Sequence, residues 1–127
     1  MHLIDTDICI QFLRGEKKVV DFITELEVIY ISVITLAELF FGIYNSKNIE
    51  SHKKALANFL SDVSLLNTDF SIAHKFGRIK AKLKNQGTFI GDFDIINAAF
   101  SLTYNLTLVT RNIKHYEKID GINIKSV

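Results

Sequence analysis

Apolar residues along the chain follow two rhythms. Short runs rich in β-branched and aromatic side chains, at His2–Asp5, Val28–Val33, Val63–Leu66, Leu106–Thr110 and Ile122–Ile124, read as buried strands. Between them, apolar positions recur at helical spacing. Thr6–Leu13 carries Ile8, Ile10, Phe12 and Leu13 and halts at Gly15, and Lys17–Leu26 gathers Val19, Val20, Phe22, Ile23 and Leu26 on one side. Ile34–Tyr44 and Ile49–Leu60 read as two more helices. Ser71–Lys84 sets Ile72, Phe76, Ile79 and Leu83 on one stripe, keeps its lysines and Arg78 elsewhere, and closes at Gly87. Phe93–Tyr104 is apolar almost all round, which predicts a helix at the core, and a short helix follows Asn112. Short apolar strands alternating with helices predict an α/β fold: a three-layer sandwich with a short central parallel sheet covered by helices on both faces.

One stretch imitates a membrane span. Val28 to Tyr44 is apolar except for Ser32, Thr35, Glu38 and Gly42. A spanning helix needs about 20 apolar residues, and a carboxylate in mid-bilayer costs several kcal/mol. The β-branched first part favours strand followed by helix, with no membrane contact.

Composition adds bounds rather than identity. A chain of 127 residues with 48% hydrophobic residues fits one domain, residues 1–127, with ample material for a core. The net charge of +1 means that any basic patch is local. Cys9 is the single cysteine, so no internal disulfide forms. Asp5 comes too early for a signal peptide, and the expected location is cytoplasmic. Cys9 lies on an apolar helix face and reads as core.

The polar residues that interrupt this pattern cluster by position. Ligands of parallel α/β sheets bind outside the carboxyl ends of the strands. Asp5 sits where the first strand ends, Glu38 in the first turns of the helix after the second, and Asp94 at the start of the apolar helix. Thr110 and Asn112 follow the fourth strand directly. If the first and fourth strands are neighbours, all of these face one sheet edge. Two carboxylates about 4 Å apart repel by roughly 4 kcal/mol at an effective dielectric of about 20. Proton sharing or a cation must offset that. Oxygen donors without cysteine or histidine favour Mg²⁺, with Mn²⁺ as a substitute, over Zn²⁺. Such an ion orients and deprotonates a water and stabilises the leaving oxygen of a phosphodiester.

Each residue also has a plainer reading. Asp5 with Asp7 behind it, Asp92 with Asp94, and Asn112 all suit helix starts. Thr35-Leu36-Ala37-Glu38 matches a capping box. Caps do not explain why Glu38 and Asp94 are framed by apolar residues, since a buried charge needs a partner. Asp5-Thr6-Asp7 after a strand also fits the start of haloacid-dehalogenase-like phosphatases, with Asp5 as nucleophile. Against this, the chain is short for that fold, and Glu38 has no task in it. A silent binding module is the third class. The four histidines, His2, His52, His74 and His115, lack ligand spacing. Lys75, Arg78 and Lys82 share a helix face that either meets RNA phosphates or is simply solvated.

The segments Leu3-Ile4-Asp5-Thr6-Asp7, Ile31 to Leu39, Ile90 to Ala99 and Leu108-Val109-Thr110-Arg111-Asn112 together resemble the PIN-domain nucleases, and among them the VapC-type toxins of bacterial toxin–antitoxin pairs. The resemblance spans the whole chain in order. It implies a PIN-like fold and a Mg²⁺-dependent endoribonuclease, usually a homodimer, that acts on RNA and is silenced by a small VapB-type antitoxin. Asp5 and Asp94 match the main metal ligands, and Glu38 the third acid. Asn112 stands where the family often has a fourth acid, which weakens the case for a second tightly held metal. Asp92 departs from the family pattern, and is expected either at the rim of the site or as a cap. Asp7 and Thr110 are secondary candidates. His115 stands at an often acidic position and is given no role. The segment Leu39 to Tyr44 is too apolar for a helix with a solvated face, so a partner is expected there.

Overall fold

In the computed structural model, which describes residues 1–127, the strands are β1 (His2–Ile4), β2 (Ile29–Ser32), β3 (Ser64–Leu66), β4 (Thr107–Val109) and β5 (Asn123–Lys125). All pair in parallel, in the order β3-β2-β1-β4-β5. The helices are α1 (Thr6–Leu13), α2 (Lys17–Thr24), α3 (Val33–Tyr44), α4 (Ile49–Leu60), α5 (Phe70–Asn85), α6 (Asp92–Thr103) and α7 (Ile113–Tyr116).

Side chains of a strand alternate between faces, and here the alternation sorts the helices into two layers. Leu3 and Leu108 enter a core with Ile72, Leu83, Phe100 and Tyr116, from α5, α6 and α7. Ile4, Ile31 and Val109 enter a second core with Ile8, Val19, Leu39 and Phe59, from α1 to α4. Register agrees: Leu3 lies opposite Leu108, and Ile4 opposite Val109. Each such side chain, buried, contributes about 1.5–3 kcal/mol. Cys9 is a free thiol inside the second core, and burial pushes its pKa up, so it is held as an apolar thiol.

Helix boundaries follow local chemistry. Gly15 (φ +78°) and Gly87 (φ +69°) take the left-handed conformation just past α1 and α5. The start of α3 departs from expectation. Its N-cap is Ser32, whose Oγ accepts from Thr35 N–H at 3.1 Å, so Thr35 lies inside the helix and does not open a capping box with Glu38. The segment Val28 to Tyr44 is indeed strand followed by helix, and no helix of the chain is long and apolar enough to cross a membrane.

The strand order places the site. From β1 the chain adds β2 and β3 on one side, and later β4 and β5 on the other. The connections leaving β1 and β4 therefore diverge, and the crevice between them is where open α/β sheets bind ligands. Asp5 directly follows β1 and Thr110 directly follows β4, and the Asp5 N–H donates to the Val109 carbonyl at 3.0 Å.

Candidate active site

Asp5 anchors the site from below. It is only 5% exposed. Its Oδ1 accepts from Thr6 N–H (2.9 Å) and Asn97 Nδ2 (3.0 Å), and its Oδ2 accepts from the Thr110 hydroxyl (2.9 Å). Burial pushes its pKa up to about 6, aided by the negative charges of Asp7 and Asp94, while the hydrogen bonds from Thr110 and Thr6 pull it back. The carboxylate is thus held ready in an environment that disfavours its own charge.

Asp94, the third residue of α6, comes from the other side. Its Oδ2 lies 3.0 Å from His115 Nδ1 and 3.3 Å from Asn112 Nδ2, and its Oδ1 accepts from Tyr116 Oη at 3.3 Å. Asn112 Nδ2 and His115 Nδ1 are themselves 2.8 Å apart. Tyr116 is fully buried, so its hydroxyl has a fixed position. Burial first, and the two aspartates second, drive its pKa far up and keep it a donor.

Glu38, half-buried on α3, accepts from the Thr6 hydroxyl at 2.8 Å. A buried polar network links these carboxylates from beneath. Asn97 Nδ2 also reaches Thr35 Oγ1 (3.2 Å), Asn97 Oδ1 accepts from Ser32 Oγ (2.5 Å), and the Thr35 and Thr6 hydroxyls lie 3.1 Å apart. Ser32, Thr35, Asn97 and Thr110 are all buried, and each has a partner here.

Asp5, Asp7, Glu38, Asp94 and Asn112 line one open cleft of about 500 Å³, in which Ile10 is the only apolar wall residue. Asp7 faces the cleft with both oxygens engaged, by Ile8 N–H (2.8 Å) and Arg111 N–H (2.9 Å). Burial raises its pKa, against those hydrogen bonds. Thr110 sits under the cleft, bonded to Asp5 and accepting from Asn112 N–H at 3.0 Å. Asp92 is placed elsewhere: it opens α6 on the outside, and its carboxylate pairs with Lys80 at 2.8 Å, so it adds no charge to the cleft.

Several residues of the site escape a reading by sequence. His115, given no role above, touches Asp94, because α7 folds back over the start of α6. Tyr116 follows it. Asn97 had a visible signal: it is a lone amide in the apolar run Ile95-Ile96-Asn97-Ala98-Ala99, one helical turn from Asp94. Ser32, Thr35 and Thr6 had none beyond ordinary helix-start chemistry.

A metal suits this donor set in one particular way. No group of three Asp, Glu, His or Cys side chains lies close enough together to hold a metal ion directly. Mg²⁺ does not need such a group, since it keeps several waters and binds through one or two carboxylates. An open cleft walled by carboxylate oxygens, with Asp5 strained toward protonation, fits such a hydrated cation.

The comparisons agree with this fold. The PIN domain family model matches residues 2–121. Ribonuclease VapC2 of Rickettsia felis is 28% identical, covering 99% of this chain and 97% of that protein. The tRNA(fMet)-specific endonuclease VapC of Salmonella typhimurium is 30% identical, covering 97% of this chain and 95% of that one. Among solved structures, VapBC2 from Rickettsia felis bound to a DNA fragment from its promoter superposes with a TM-score of 0.94 at 28% identity, covering 99% of this chain and 98% of the other. The family model and the curated relatives give no support to the phosphatase reading. On these grounds the chain belongs to the PIN-domain family, in its VapC ribonuclease branch.

Proposed function

We propose that this chain is a single-domain Mg²⁺-dependent endoribonuclease, the toxin of a toxin–antitoxin pair, working through Asp5, Asp94 and Glu38. VapC nucleases of the PIN family depend on divalent metal. The observation that carries the assignment to these residues is their shared cleft at the β1/β4 switch point.

In this reading Asp5 and Asp94 hold the cation, with Glu38 as third carboxylate. A bound Mg²⁺ supplies an activated water and charge stabilisation at the phosphodiester. The protein's own part is positioning. Asn97 and Thr110 fix both oxygens of Asp5, Tyr116 and His115 fix those of Asp94, and Thr6 aims Glu38. Asn112 bridges the Asp94 and Thr110 sides. Mn²⁺, with the same preference for oxygen donors, is the expected substitute. The test is cleavage of a labelled RNA, with tRNA(fMet) tried first because the Salmonella relative is named for it. Cleavage needs Mg²⁺, stops in EDTA and is lost in Asp94→Asn. Cleavage that continues in EDTA, or in that variant, removes the site assignment.

The partner reading rests on α3. Phe41 and Tyr44 are 72% and 59% exposed, and Phe40 also reaches the surface. Beside them a groove of about 260 Å³, walled by Leu39, Gly42 and Ile43, runs to Glu38, which lines both groove and active cleft. The solved relatives are VapBC complexes. A VapB-type antitoxin helix laid in this groove covers the apolar surface and brings a basic side chain to the carboxylates. Homodimerisation is a further part of the proposal, and light scattering of the purified chain tests it.

A further inference from the structure

A second cleft lies between α5 and the turn after α7, and its charge is opposite to that of the first. Lys75, Arg78 and Lys82 line it from α5, and Lys118 from the far wall, over an apolar floor that includes Ile79 and Leu102. Asp120 is its only acid, and Lys82 already pairs with it. Lys75, Arg78 and Lys118 pair with no carboxylate anywhere in the fold. On a chain of net charge +1, three uncompensated cations around one cleft are a concentrated charge.

Two features say what such a cleft takes. On α5 the cations recur at spacings of three and four residues, so they rise roughly 4.5 and 6 Å apart along the axis. A row of this kind suits a polyanion rather than a single anion. The segment through α7 also connects this cleft to the active site along the chain. At one end of this segment Asn112 lines the acidic cleft, and at the other Lys118 lines the basic one. Between them His115 and Tyr116 contact Asp94.

We infer that this basic cleft binds the phosphate backbone of the RNA chain flanking the scissile bond, a binding site separate from the metal cleft. The inference rests on the nuclease reading above. An acidic cleft repels a polyanion, so attraction must come from nearby cations that leave the carboxylates free. Lys75, Arg78 and Lys118 supply it, and the apolar floor receives ribose or base surface.

The test is the binding of a fluorescent single-stranded RNA in EDTA, where cleavage is off, by anisotropy over a salt series. The variant is Lys75→Ala/Arg78→Ala/Lys118→Ala, with Lys82 kept so that its ion pair with Asp120 survives. The expected result is at least tenfold weaker binding at low salt, with the slope of log K against log salt reduced by about two. With Mg²⁺ present, KM rises and kcat stays within twofold. The control Lys47→Ala/Lys53→Ala/Lys54→Ala removes equal charge around α4 and changes binding less than twofold. Equal loss in the control reduces the effect to net charge and overturns the inference. Unchanged binding in the cleft variant, while wild type still cleaves, overturns it and leaves the nuclease reading intact. Unchanged RNA binding with an altered oligomeric mass makes the cleft a protein interface, which also overturns it. Wild type that neither binds nor cleaves RNA removes the nuclease reading first.

Discussion

Asn97 Nδ2 donates to Asp5 Oδ1 at 3.0 Å and thereby ties the core helix α6 to the end of the central strand β1. The amide is 1% exposed, and its other contacts are the hydroxyls of Thr35 and Ser32. Asp5 and Asp94 come from elements 89 positions apart in the sequence. Asn97 sits one helical turn after Asp94 and grips Asp5, so one side chain sets the spacing between the two carboxylates.

Asn97→Ala leaves Ser32 Oγ without its acceptor and Asp5 with one donor fewer. A buried polar group stripped of its partner costs about 1–3 kcal/mol, so the urea midpoint falls accordingly and Mg²⁺ affinity drops with it. Asn97→Asp keeps the volume but sets a second carboxylate against Asp5. At pH 5 the pair shares a proton, and at pH 8 it cannot, so this variant loses more stability at pH 8. Equal losses at both pH values mean that Asn97 only fills space.

The role of Glu38 is decided by comparing rate with stability. The Ser32 cap removes its capping duty, and its one contact is the Thr6 hydroxyl. In Glu38→Gln the amide oxygen still accepts from Thr6 and the side-chain volume is kept, so the melting temperature is expected to change little. RNA cleavage falls at least a hundredfold if the charge is what the site uses. Retained cleavage removes Glu38 from the metal set.

The layers and the parallel sheet were legible because buried strands and amphipathic helices announce themselves by period, whereas the neighbouring of β1 and β4 entered only as a condition, which the strand order meets. Glu38 and Asp94 stood out as candidates because their charges sat in apolar frames, and Asp5 because it follows the first strand; the fold brings the three to one cleft. The positioning groups were harder. His115 and Tyr116 belong to a four-residue helix, too short for periodicity to orient, and their contact with Asp94 depends on how that turn folds over α6. The apparent capping box at Thr35 was a false local signal, because Ser32, at the very end of β2, serves strand and helix at once. Of the two readings left open for Asp92, the fold takes the helix start: it opens α6 and pairs with Lys80, a cation on another helix that no local pattern points to.

The raised pKa of Asp5 gives a stability signature. Unfolded, its carboxyl titrates near 3.8, and folded at about 6. Between those values the native state holds a proton that the unfolded state has lost, so metal-free stability falls as pH rises from about 4 to about 6 and stays low above. The gap amounts to about 3 kcal/mol at most. Asp5→Asn removes the charge, so without metal it melts higher than wild type at pH 7.5, and the advantage vanishes near pH 4. Added Mg²⁺ raises the melting point of wild type but not of the variant, and the apparent affinity for Mg²⁺ weakens below pH 6 as the proton competes. A variant that gains nothing at pH 7.5 contradicts the strained carboxylate.

Gly42 offers a way to separate the partner from the chemistry. It lies within α3 and lines the groove beside Glu38. A Cβ built there meets nothing within 4 Å, so in the isolated chain a larger side chain is free to point into the groove. Gly42→Leu gains up to about 1 kcal/mol of helix propensity and touches none of the groups that hold Asp5 or Asp94. The fold and RNA cleavage are therefore expected to persist, with kcat/KM within about threefold of wild type. The groove, however, is filled. Affinity for the antitoxin partner falls at least tenfold, equivalent to about 1.4 kcal/mol, and co-expression of that partner no longer relieves growth arrest. Full relief with Gly42→Leu places the antitoxin on some other surface, and the exposed Phe41 and Tyr44 then await a different occupant.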